Sequence, residues 1–238
     1  EVLTGLGFSE VITSSFNKKD QVELRNALAS DKSFMRSTLR ENIAGVLNKN
    51  AHLADFLGVT DIRVFEIGTV FTLSEGTVVE HISLCVGVRS KAQGYTLKDD
   101  TTVTEVIEVL TNELGVKMNF TLEKGVAECN FNEVFTQLPV PHEYEEIAVA
   151  EEIIYRPFSA YPAMVRDIAL WVTEGVAPEA VEEILNETAG ALRMRTTLVD
   201  VFTKEGRTSY AFRLVFQSFE KTLTDEEVDV LMDSVYTA

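Results

Sequence analysis

The stretch Tyr161-Pro-Ala-Met-Val-Arg-Asp-Ile-Ala-Leu-Trp-Val172 decides how the second half of this 238-residue chain is read. Pro162 fixes its own φ and pushes Tyr161 toward an extended conformation. From Asp167 the residues alternate as a β-strand does: Ile168, Leu170 and Val172 point one way, Asp167, Ala169 and Trp171 the other. An aliphatic row backed by a row carrying Asp and Trp describes a sheet with one open side. That side either binds something or is covered by another domain, and alternation alone leaves both open.

Outward from that strand toward the C-terminus, Pro178 at the first helical position predicts a helix to Ala189, with Val181, Ile184 and Leu185 inward and Gly190 as its stop. Leu198–Phe202 and Ser209–Gln217 read as strands joined around Glu205-Gly206. A last helix starts in the capping box Thr224-Asp-Glu-Glu227 and buries Val228, Leu231, Met232 and Val235. The order β-α-β-β-α is one strand short of the ferredoxin-like βαββαβ fold, and the chain ends at Ala238. In such a sheet the first and third strands are neighbours and the second lies beside the third. Alternation then sends Tyr210, Phe212, Leu214 and Phe216 inward with Val199 and Val201, and leaves Arg213, Gln217, Asp200 and Phe202 outward with Asp167, Ala169 and Trp171.

Toward the N-terminus, Glu1–Gly7 reads as a chain entered in mid-helix, which suggests a piece of a longer polypeptide. Val11–Phe16 alternates like a strand, and Lys18–Leu24 reads as a helical turn capped by Asn17. Leu39–Leu57 carries Ile43, Val46, Leu47, Leu53, Ala54 and Leu57 at helical spacing, closed by Gly58. Ile62–Ile67 and Thr69–Leu73 are β runs around Gly68, a position suited to a hairpin or bulge. Further strands are expected at His81–Val88, Met118–Leu122 and Ile147–Ala150, with an amphipathic helix at Thr101–Leu114. The charges and prolines of 151–157 mark a boundary between domains at 1–152 and 153–238.

The net charge is −17. Residues 155–238 hold eight Lys/Arg and fourteen Asp/Glu, and residues 1–154 the other thirteen and twenty-four, so neither half has the basic footprint of a protein held to nucleic acid by phosphate neutralisation. Any contact with RNA must be local. No apolar run reaches the ~20 residues that span a bilayer, so no membrane partner is expected. Cys85 and Cys129 lack metal-ligand spacing, and His52, His81 and His142 are scattered; buried thiols in a reducing compartment are expected, and no zinc. There is no phosphate loop, nucleophile elbow or HExxH. Asp99-Asp100 and Glu145-Glu146 read as solvated acidic faces.

Five ordered blocks carry a resemblance. Gly7-Phe8-x-Glu10-Val-Ile-Thr13-x-Ser-Phe16, Met35-Arg36-x-x-Leu39 and Arg63-Val-Phe-Glu-Ile-Gly68-x-Val-Phe71 resemble the bacterial phenylalanyl-tRNA synthetase beta subunit. Ser159-x-Tyr-Pro162-x-x-x-Arg166-Asp-Ile-Ala-Leu170 and Phe216-Gln-Ser218 with Thr222-Leu-Thr-Asp225 resemble its C-terminal ferredoxin-fold anticodon-binding domain. Asp100–Glu133 fits less clearly, and a segment built around a His-Pro pair is not recognisable.

The resemblance implies an α+β chain: a class II synthetase-like antiparallel sheet with helices, then the ferredoxin-like domain. It also implies that the first module has lost catalysis, because Thr69 and Thr72 stand where such enzymes place a phosphate-binding arginine. ATP and Mg2+ would then be used by the holoenzyme, with no cofactor in this fragment. The implied partners are an alpha subunit, in an α2β2 assembly, and tRNA(Phe), in the cytoplasm. The phenylalanine anticodon begins with guanine, whose Watson–Crick edge offers two adjacent donors that a carboxylate accepts. Asp200 is the expected reader, with Ala169 leaving room and Phe202 or Trp171 stacking on bases. Asp167 and Arg213 either join that surface or form a structural salt bridge. The reading from a different class is an independent ferredoxin-like ligand-sensing or assembly protein without a tRNA role.

Overall fold

The computed structural model describes residues 1–90, 94–140 and 157–237. The expected strand Ile147–Ala150, the acidic pair Glu145-Glu146, His142 and nearly all of the expected boundary at 151–157 lie outside the described residues. The chain divides into two compact units, Glu1–Glu145 and Glu146–Ala238.

The first unit begins with helix α1 (Val2–Gly5) and the short strands β1 (Ser9–Glu10), β2 (Phe16–Asn17), β3 (Val22–Glu23) and β4 (Phe34–Met35). Helix α2 (Arg40–Asn50) follows and runs through one 3-10 turn (Ala51–Leu53) into α3 (Ala54–Leu57), which Gly58 ends in the left-handed conformation. Strands β5 (Asp61–Ser74) and β6 (Thr77–Ser90) form a long hairpin, succeeded by α4 (Leu97–Leu114), β7 (Thr121–Glu123), β8 (Val126–Asn130) and α5 (Phe131–Phe135). The main sheet has the order β1-β5-β6-β8-β7, with β1 parallel to β5 and the other pairs antiparallel.

Period-2 alternation along β6 builds two cores on opposite faces of that sheet. Leu84, Val86 and Val88 pack with Val103, Val106 and Leu110 of α4. Cys85 faces the other way with Ile43 and Leu47 of α2, and Gly87 lets those side chains close onto the strand. Both cysteine thiols are buried, and burial first of all pushes Cys129 up to about 12.

Several expectations are corrected here. Val11–Phe16 is not one strand, because Thr13 and Ser14 leave the ladder to serve as hydrogen-bond partners for α2 and β5. Lys18–Leu24 is not helical: Asn17 donates to Asp20, whose carboxylate also accepts from the Ser37 amide, and the segment runs into β3. Gly68 marks neither hairpin nor bulge. β5 continues through it without a register shift, and the reversal falls at Glu75-Gly76, where both residues have positive φ. Strand β8 lines both cores, with Ala127 and Cys129 in one and Val126 in the other.

The second unit contains β9 (Met164–Thr173), α6 (Pro178–Thr188), β10 (Arg193–Lys204), β11 (Arg207–Phe216) and α7 (Asp225–Tyr236). Its sheet order is β10-β11-β9, all antiparallel. Ile168, Phe212, Leu214 and Phe216 meet Val181 and Leu185 of α6 and Val228 and Met232 of α7. Thr224 and Glu227 form the capping box of α7. Arg166 reaches from β9 to Asp225 and Asp229 of that helix, at 2.6 and 3.1 Å.

Candidate nucleic-acid interface

The helices cover one face of the second unit's sheet; the register defines the other. Residues directly opposite in an antiparallel sheet share a face. Successive outer rows, read across β10, β11 and β9, are Thr197, Arg213, Asp167; then Asp200, Ala211, Ala169; then Phe202, Ser209, Trp171; and last Lys204, Arg207, Thr173. All six expected site residues stand on this face.

Their orientation on β10 does not come from simple alternation. Leu198 opposes Phe212 of the core, and the next partnered residue is Asp200, opposite Ala211. Val199 is an inserted bulge residue, and the bulge turns Asp200 to the outer face. Val199 and Val201, expected inside, are both exposed; the core contact there belongs to Leu198. Gln217, expected outside, is buried: its amide donates to the Leu192 carbonyl and its side chain to the Tyr161 carbonyl.

Arg213 clasps Asp167 with two hydrogen bonds of 2.7 Å. This is the planar, bidentate geometry that guanidinium and carboxylate favour, and the two groups are engaged with each other. Asp200 differs. It is exposed, and no hydrogen bond or ion pair to it is found among the described residues. Ala211 and Ala169 continue its row, so a shallow floor lies between the Arg213–Asp167 clasp and the aromatic row. There Trp171 meets Phe202 edge-to-face, centroids 6.1 Å apart at 78°. The two rings are 49% and 54% exposed. Arg207 stands over the Trp171 ring at 6.0 Å, and a recess of about 250 Å³ is lined by Trp171, Lys204, Glu205 and Arg207. Ala211, Arg207 and the bulge were not found from sequence. A bulge leaves no compositional mark, and alanine in a strand reads as filler.

The first unit carries a different chemistry. Arg36, just before α2, is 3% exposed and bonded to Glu66 at 2.8 Å, to Thr13 and to the Thr69 carbonyl. The start of α2 receives a carboxylate instead: Glu128 accepts from the Leu39 amide and the Thr38 hydroxyl. A cavity of about 410 Å³ lies beside α2, and each of its cations stands near a carboxylate, Arg40 by Glu128, Lys124 by Glu123 and Arg89 3.6 Å from Asp99, while Arg89 Nε and Nη1 make no hydrogen bond among the described residues. Asp99 is therefore a buried partner rather than part of a solvated acidic face. Among the described residues no three His, Cys, Asp or Glu side chains converge as a metal site, and no helix is long and apolar enough to cross a membrane.

Comparison with known proteins assigns both units. Residues 1–134 match the phenylalanyl-tRNA synthetase beta chain CLM domain, and residues 159–238 the ferredoxin-fold anticodon binding domain. The chain belongs to the phenylalanyl-tRNA synthetase beta chain family. The match runs through Asp100–Glu133, the stretch whose likeness was least clear by motif. The phenylalanine–tRNA ligase beta subunit of Syntrophus aciditrophicus is 26% identical over 95% of this chain and 35% of its own length. That of Listeria monocytogenes is 26% identical over 99% and 35%. The chloroplastic/mitochondrial phenylalanine–tRNA ligase of Arabidopsis thaliana is 39% identical over 34% of this chain and 19% of its own. The chain thus spans about a third of the bacterial relatives it matches. The Syntrophus alignment occupies 283 positions against the 238 residues here, so that family member has residues this chain lacks.

Proposed function

We propose that this chain supplies two non-catalytic parts of a phenylalanine–tRNA ligase: a scaffold that holds an alpha subunit, in an α2β2 assembly, and a reader of the tRNA(Phe) anticodon. ATP and Mg2+ serve the holoenzyme through the alpha subunit. The observation that carries the reading is the unengaged Asp200 carboxylate on an alanine floor beside two exposed aromatic rings. A carboxylate is acceptor-only, with two oxygens in one plane. Guanine's Watson–Crick edge presents two donors side by side, so the pair closes with both oxygens filled. Adenine at that position would set its unprotonated ring nitrogen against the carboxylate. Ala169 and Ala211 leave depth for the base, and Phe202 or Trp171 stacks on it or on its neighbour. Asp167 and Arg213, clasped to each other, border that alanine floor.

The test is binding of an RNA hairpin carrying the guanine-first phenylalanine anticodon, compared with one carrying adenine first. Asp200→Ala should remove about 1–3 kcal/mol of discrimination, by analogy with bidentate base contacts in duplexes. Charging of tRNA(Phe) by the complete ligase should fall in step while adenylation is unchanged. Equal discrimination by Asp200→Ala and the parent chain would overturn the assignment.

A further inference from the structure

Charge in the second unit is segregated between its two faces. Helices α6 and α7 carry nine carboxylates, Glu179, Glu182, Glu183 and Glu187 on one and Asp225, Glu226, Glu227, Asp229 and Asp233 on the other, and no lysine or arginine. The outer sheet face carries Arg195, Arg213, Lys204 and Arg207, with Arg195 also engaged and Arg213 spent on Asp167. Lys204 and Arg207 remain at the hairpin end. The turn between them, Glu205-Gly206, has φ of +52° and +74°, the left-handed pair of a two-residue hairpin loop that matches strand twist. It sets Lys204 and Arg207 directly opposite each other.

Like charges facing each other across a strand pair destabilise it. The nearest relief is weak. Lys204 lies 3.9 Å from the exposed Glu205, and no ion pair to Arg207 is found among the described residues; its contact is the face of Trp171. Two cations thus stand one row beyond the exposed aromatics, two residues along the strand, or about 7 Å.

We propose that Lys204 and Arg207 form a phosphate clamp that positions the RNA strand whose bases lie on Phe202 and Trp171. The inference rests on the anticodon reading of this face and deepens it: Asp200 specifies a base, whereas the hairpin end holds the backbone and carries no base preference. An anion between the two side chains removes their mutual repulsion. The Trp171 face holds Arg207 in place from the other side.

The test is salt-dependent binding of the two RNA hairpins to the 238-residue chain. Each neutralised phosphate contributes about 0.7 to the slope of log K against log salt for single strands, so Lys204→Gln with Arg207→Gln, which loses the one phosphate held between them, should lower the slope by about 0.7. Between 50 and 200 mM salt the variant should therefore lose about 2.6-fold less affinity than the parent chain. Its preference for guanine over adenine should be unchanged, and the charge-preserving pair Lys204→Arg with Arg207→Lys should keep the parent slope. An unaltered slope in the glutamine variant overturns the clamp while leaving the anticodon reading intact. A parent chain that does not distinguish the hairpins, or distinguishes them equally well as Asp200→Ala, overturns the anticodon reading and with it the clamp.

Discussion

The guanidinium of Arg36 occupies the space that a β-carbon on Gly68 would need: a Cβ built there lies 2.4 Å from Nη2. The contact closes a buried network. Glu66 accepts from Arg36 at 2.8 Å and from the Thr13 hydroxyl at 2.6 Å, and Asn42 of α2 donates to the same Thr13 oxygen. Arg36 and Glu66 are both almost fully buried. Gly68 is thus demanded by a neighbour rather than by its own backbone, and the network fastens the loop before α2 to strand β5.

Gly68→Ala should displace the Arg36 guanidinium and leave Glu66 buried without its counter-charge. Removing one partner of a buried pair costs about 3–5 kcal/mol, so urea unfolding of the first unit should shift by that amount. An alanine variant as stable as the parent chain would show that Arg36 has another place to go.

The same network bears on catalysis. Arg36 is enclosed, and Thr69 and Thr72 follow Gly68 where a phosphate-binding arginine would be required. Thr69 contributes its carbonyl to Arg36, and the Thr72 hydroxyl lies 3.5 Å from the Val79 carbonyl. Preorganised cations are the main means of stabilising phosphoryl charge. Phenylalanine-dependent exchange of pyrophosphate into ATP by this chain alone should stay at background, and robust exchange would contradict the scaffold role.

Asp99 links pH to the stability of the first unit. Burial raises its pKa, but hydrogen bonds from the Ser90 hydroxyl and amide and the Thr96 amide, with the charge of Arg89, outweigh burial and hold it below 3.8. A carboxyl depressed in the folded state stabilises fully above its unfolded pKa and loses that stability as pH falls through the folded one. Urea midpoints should therefore be flat from pH 7 to about 5 and decline below about 4. Asp99→Asn strands the buried Arg89 and should cost about 3–5 kcal/mol at neutral pH. It should also flatten the acid decline, except for the part due to Asp20. That carboxyl is likewise held low, because bonds from Ser37, Gln21 and Asn17 outweigh its partial burial.

What the sequence discloses depends on whether a feature has a periodic or local chemical signature. The strand at Asp167–Val172, the helix begun by Pro178 and the capping box at Thr224 each have one, and each stands where it was read, within a few residues at the ends. Gly68 has a local signature with two causes, a turn or a close approach, and only the tertiary position of Arg36 distinguishes them. Thr13 and Ser14 alternate as strand residues do, yet their backbone and hydroxyl groups are committed to distant partners. On the outer sheet face, alternation alone points Asp200 outward by sending Val199 and Val201 inside. The bulge delivers Asp200 to that face, with Leu198 as the inward residue. Ala211 was passed over because its value lies in the volume it leaves empty.

That empty volume gives the sharpest separation between shape and charge on this face. Ala211 lies between Asp200 and Ala169, in the centre of the row that would receive the base. Tyrosine suits a strand and points away from the helices, so Ala211→Tyr should leave thermal stability within about 0.5 kcal/mol of the parent chain, as outer-face substitutions do. It should nevertheless fill the floor, keep guanine from the carboxylate, and abolish the guanine-over-adenine preference as Asp200→Ala does. The two variants differ in what remains. Asp200→Ala keeps the floor and should bind both hairpins with similar affinity, whereas Ala211→Tyr blocks the site and should weaken the guanine hairpin at least as much. Loss of preference with unchanged melting assigns the alanine floor to the base; preference retained in Ala211→Tyr places the guanine elsewhere on the sheet.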